Sequence, residues 1–160
     1  MTAVRHYAHL TEGSVTPHRA ALFPVLRSKN AADQAITAAT EADITSLSGL
    51  DLPVLTNVDG RVFEVDFTIQ LAETSAAANL VTIRIYNGAN GTKADTLVWA
   101  TGAVVSASSL GWQLTCSGFY FTPGTPTRTK IGLAVISSGN CTVVGTSNII
   151  SCLTVREVPA

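Results

Sequence analysis

The chain has 160 residues, enough for one well-buried core and too few for two. Hydrophobic residues make up 46% and charged residues only 13%, about half the usual share, with Thr, Ser, Ala, Gly and Asn taking up the difference. A net charge of −1 and the lack of any run of about 18 apolar residues argue against a dense basic stripe for nucleic acid and against a membrane-spanning helix.

Residues 1–30 hold Arg5, Arg19, Arg27 and Lys29 against the single Glu12, a charge of +3, together with His6, His9 and His18, the only histidines. Their apolar residues are scattered and two prolines, Pro17 and Pro24, interrupt them. This segment reads as an extended arm outside the folded body, and the expected domain division is 1–30 arm and 31–160 body. Arg5, His6, His9, Glu12 and His18 break the continuous apolar stretch that a signal peptide needs. Residues 31–160 carry six basic and ten acidic residues, a charge of −4.

From Ala31 the character changes. "AADQAITAATEADITSLSGLDLPVL" reads as one or two polar strands and a turn near Gly49 and Pro53. "GRVFEVDFTIQLAE" then alternates cleanly: Phe63, Val65, Phe67, Ile69 and Leu71 on one face, and Glu64, Asp66, Thr68 and Gln70 on the other. Residues 80–87 repeat the pattern with Val81, Ile83 and Ile85 inward. "NGANGTKADT" is dense in turn formers; strands are expected over 97–105, 111–121 and 128–136, the last with Ile131, Leu133 and Val135 inward. "NCTVVG" and "IISCLTVREV" supply two more. Eight or nine short strands without a helical stretch predict an all-β fold. A jelly-roll β-sandwich of about eight strands fits better than an immunoglobulin-like one, because Trp112 lies just before Cys116 and the Cys…Trp…Cys framework is missing.

The chemistry-bearing residues do not converge. Cys116, Cys141 and Cys152, an odd set without metal-type spacing, read as small buried residues in strands in preference to a disulfide pair, which fits synthesis in a reducing cytoplasm; no histidine lies in the strand region to activate a thiolate. His6 and His9, three apart, with His18 could hold a metal, but an arm with ordinary hydrogen bonds explains them as well, and no metal or other cofactor is expected. Glu41 with Asp43 and Glu64 with Asp66 are alternate-residue pairs, each projecting from one strand face as glycosidase carboxylates do; on polar strands such pairs are usually solvated or at interfaces. "NGANGT" lacks the Lys-Ser of a phosphate loop, and Asn90 and Asn140 match the short glycosylation pattern. Trp99, Trp112, Phe119, Tyr120 and Phe121 could line a sugar site or serve as core and subunit contacts. The expectation is a non-enzymatic protein.

Three stretches carry a family likeness: "AADQAITAATEADITSLSGLDLPV", "GRVFEVDFTIQLAETSAAANLVTIRIYNG", and the closing "NCTVVGTSNIISCLTVREV" with Leu153, Val155 and Glu157. The body from about Ala31 to Val158 resembles the small jelly-roll modules of tailed-bacteriophage virion proteins, of the tumour-necrosis-factor-like style. The resemblance implies a virion structural protein, commonly a homotrimer, without a catalytic residue set. It implies either a capsid decoration (cementing) protein on the major capsid protein or a tail-associated tip binding a host-surface glycan or receptor. The sequence reads as one complete module without a fibre shaft, which favours decoration on the outer capsid surface. The arm is then the expected attachment element, with Arg5, Arg19, Arg27 and Lys29 in polar contacts and Tyr7, Leu22, Phe23 and Leu26 as apolar anchors. No nucleic-acid or membrane partner is expected.

Overall fold

The computed structural model describes residues 25–52, 62–73, 76–107, 110–123, 130–145 and 151–158. In chain order these form β1 (Val25–Lys29), β2 (Gln34–Ile36), β3 (Ala42–Asp43), a 3₁₀ turn (Thr45–Leu47), β4 (Leu50–Asp51), β5 (Val62–Glu73), β6 (Asn79–Gly88), β7 (Thr96–Val105), β8 (Leu110–Phe121), β9 (Lys130–Ser137), β10 (Cys141–Val143) and β11 (Cys152–Val158).

Two antiparallel sheets result. In the first, β1 pairs with β11 and β2 with β10; β11 and β10 lie along one edge of β5, and β8 lies along the other. In the second, β3 and β4 both pair with β9, β9 with β6, and β6 with β7. The short segments β1 and β2, β3 and β4, and β10 and β11 are interrupted halves of single strands. Across the first interruption Asn30 N still donates to Ser151 O at 2.8 Å. Counted this way, the first strand pairs with the last, the second with the seventh, the third with the sixth and the fourth with the fifth. A ribbon nested in this manner and wrapped into a sandwich is a jelly roll, the expected fold.

The core sits where the sequence alternation places it. Phe63, Val65, Phe67, Ile69 and Leu71 of β5 are at most 2% exposed. They face Val81, Ile83 and Ile85 of β6 and Ile131, Leu133 and Val135 of β9, all fully buried. Leu153 and Val155 of β11 stand opposite Phe67 and Val65 in register and complete the inner face of the first sheet. Trp99 of β7 joins the sheets, its ring 6.1 Å from Phe67 edge-on and 5.3 Å from Phe119 of β8.

One boundary differs from the sequence reading. Residues 25–29 were expected in the arm; they form a strand bonded along β11 from Val25 opposite Arg156 to Lys29 opposite Cys152, so Val25–Lys29 belong to the sandwich. The physical reason is the open edge of β11, which offers unpaired backbone groups to any extended segment that reaches it.

Candidate functional site

The carboxylate pairs are held by neighbouring donors. On the outer face of the first sheet, Glu64 accepts hydrogen bonds from Arg156 Nε and from Tyr120 OH, the latter at 3.0 Å. The Arg156 bond dominates burial and holds the Glu64 carboxyl below its usual range. Asp66 accepts from Gly118 N at 2.8 Å and Ser117 Oγ at 3.1 Å, where β8 bulges between its pairings with Val65 and Phe67. Glu64 and Asp66 therefore stitch β5 to its neighbours.

The other pair pins a loop. Glu41 accepts from Arg84 Nη1 at 2.9 Å and Tyr86 OH at 2.7 Å, and its backbone carbonyl accepts from Lys93 Nζ at 2.5 Å. Asp43 accepts from Lys93 N at 2.7 Å. Within the loop, burial alone would raise the Asp95 carboxyl, but the backbone N–H groups of Thr92, Asn90 and Gly91 outweigh it and hold the group below its usual range. Gly91 lies at φ +64, and its carbonyl accepts from Gly49 N at 2.8 Å. A Cβ on Gly132 of β9 would meet that carbonyl oxygen at 1.9 Å. "NGANGTKADT" is thus folded against β9 rather than raised as a free loop, which only a glycine at 132 permits.

The remaining sequence candidates are structural where they are described. Cys141 is buried and Cys116 and Cys152 are half-buried rather than fully buried; all three are free thiols. Burial pushes the Cys116 and Cys141 thiols up, away from the thiolate a nucleophile needs. Asn140 Oδ1 accepts from Ala38 N at 2.9 Å, and Asn90 is engaged by Asp95. Trp99, Phe119 and Phe121 belong to a chain of rings ending on Phe63, and Trp112 packs against the core; only Tyr120 of the five aromatic candidates projects outward, 55% exposed. Among the described residues no group of three His, Cys, Asp or Glu could hold a metal, and no helix is long and apolar enough to cross a membrane. His6, His9 and His18 lie outside the described residues, as do Arg5, Tyr7, Arg19, Leu22 and Phe23.

The three attachment candidates that are described lie on β1 and divide between its faces. Val25, Arg27 and Lys29 are exposed on the outer face, while Leu26 turns inward, half-buried against the core, and is not available as an outward anchor. Ser28 Oγ donates to Ser46 O at 2.6 Å and ties β1 to the 3₁₀ turn. The alternation of Leu26 and Ser28 with Arg27 and Lys29 was the only strand signal here, and five residues are too short for it to stand out.

No protein-family model and no curated protein matches the chain. Among solved structures, it is similar to a chain of an infectious bursal disease virus particle, with 12% identity over 84% of this chain and 38% of that one and a TM-score of 0.49. The subviral particle of the same virus matches with 11% identity over 85% and 37% of the two chains and a TM-score of 0.47. Its Gt strain matches with 15% identity over 87% and 38%, again with a TM-score of 0.47. The chain spans less than two-fifths of the length of these three.

Proposed function

We propose that this chain is a non-enzymatic structural protein of a bacteriophage virion: a capsid decoration protein that binds the major capsid protein lattice on the outer surface of the head, as a homotrimer. The observation that carries the reading is the cationic edge of the first sheet. β1 turns Arg27 and Lys29 out to solvent beside Val25, at the end of a segment that also holds Arg5 and Arg19. A charged edge strand resists pairing with further copies yet leaves its side chains free to dock on an acidic protein surface. The strand likeness to phage virion modules supplies the biological setting.

Binding that bridges lattice subunits favours the assembled shell over free protomers by mass action. A trimer adds avidity, because each further contact forms at high effective concentration. The test is occupancy on capsids of the virus that encodes the chain, with the full chain compared with the Arg27→Glu/Lys29→Glu variant. Both side chains are exposed, so the variant keeps the fold. Occupancy is expected to fall with the variant and with rising salt, since exposed ion pairs are screened within about 8 Å at physiological ionic strength. Full occupancy of the variant in high salt overturns the attachment reading, and labelling confined to the tail replaces decoration with a receptor-binding tip.

A further inference from the structure

Residues 96–127 contain no Asp, Glu, Lys or Arg, although 21 such residues occur in the chain. This stretch supplies β7 and β8, ten and twelve residues long, which are edge strands on the same side of the sandwich. β7 pairs only with β6 and β8 only with β5 among the described residues. Native edge strands are kept short, charged, or interrupted by proline, because a long apolar edge is a template for another chain. The opposite edges follow that rule: β2, β3 and β4 are two or three residues long, and β1 carries Arg27 and Lys29. β7 has none of these guards.

Burial shows the same asymmetry. The inward residues of β5, β6 and β9 are shut off from solvent, whereas on β7 and β8 only Val105 and Phe121 are, and Trp99, Trp112, Leu114, Cys116 and Phe119, which face the same core, are half-buried. Of five large apolar residues exposed among the described ones, Leu97, Val104 and Tyr120 lie on these two strands, and Leu80 stands opposite Val104 on β6.

We infer that the β7/β8 flank is the surface by which this chain binds a second copy of itself. Its strands carry no formal charge; the exposed Leu97, Ala100, Val104 and Tyr120 stand among the neutral Thr96, Gln113, Thr115 and Ser117, so the flank suits self-association and offers nothing to select a charged partner. Its size also fits. Sheets about 10 Å apart, with about 5 Å of side chain beyond each, give a flank about 20 Å wide, and twelve residues at about 3.4 Å each make it about 40 Å long. The product, about 800 Å², matches what each partner contributes to a standard stable interface. The inference deepens the homotrimer of the proposed function by naming its contact surface, and it is argued from the sandwich without use of capsid attachment.

The test is the mass of the isolated full chain by analytical ultracentrifugation up to about 100 μM, a range that detects any association tighter than micromolar. The chain is expected to sediment as an oligomer. Ala100→Lys/Val104→Lys, at two exposed positions of β7, is expected to weaken association at least about 100-fold, because it brings like charges together in a desolvated contact. Val25→Lys on the opposite flank is expected to leave association unchanged. A wild-type monomer at the highest concentration overturns the inference and with it the homotrimer of the proposed function, while an Ala100→Lys/Val104→Lys variant that associates as tightly as wild type overturns the inference and leaves the homotrimer standing. Attachment through β1 is read separately, by capsid occupancy of the Arg27→Glu/Lys29→Glu variant. If circular dichroism shows the double variant misfolded, Leu97→Glu, at a side chain 47% exposed, is read by the same criteria.

Discussion

Phe67→Ala is expected to be among the most damaging single truncations in this protein. Phe67 is 2% exposed in the middle of β5, opposite Leu153 of β11 and Cys116 of β8, and its ring meets Trp99 of the facing sheet. Removing the ring forfeits its transfer free energy and leaves a cavity walled by two sheets whose backbones are fixed by hydrogen bonds, so collapse is limited. Aromatic truncations at such sites cost about 3–5 kcal/mol. The lost pairing with Trp99, worth about 0.5–1.5 kcal/mol, places the value in the upper half of that range. For a chain of this length about 1 kcal/mol shifts Tm by roughly 2–4 °C, so a fall of about 8–20 °C is expected. Urea unfolding followed by tryptophan fluorescence measures the free energy directly, with Trp99 reporting on the site. Phe67→Leu, which keeps most of the volume, should recover the greater part of the loss. A cost below about 1 kcal/mol for Phe67→Ala would refute the placement of this face in the core, since an inward register leaves no route to so small a value.

Gly132→Ala should lower stability by about 1–3 kcal/mol and detach the loop before β7, because its Cβ has no room beside the Gly91 carbonyl; denaturant melts and proteolysis within 89–95 report the two effects. Asp95, whose carboxyl is held below its unfolded value, contributes stability that is fully present above about pH 4 and lost as pH falls through the folded value. Asp95→Asn should therefore flatten part of the acid limb of the stability curve, and an unchanged limb counts against the loop network as drawn.

The period-two alternation was enough to identify β5, β6 and β9 and to orient them, because on a pleated strand a residue's face follows from its parity and hydrophobic burial then chooses the face. The turn chemistry of 87–96 was also legible. Its conformation was not, since Asp95 is satisfied locally but the loop lies down only because Gly132, on another strand, leaves space for Gly91. Glu64 read as a solvated or interface acid; it is 8% exposed, covered by Tyr120 and Arg156 from the strands on either side, a cover that sequence spacing does not show. Val25–Lys29 carries too short a pattern to announce a strand, and it becomes one by pairing with Arg156 through Cys152 at the far end of the chain. The charge-free run over 96–127 was present in the sequence all along. That it forms two long, uncharged edges on one side of the sandwich was decided by strand order, which depends on pairings between residues remote in the chain, and local propensity does not encode those.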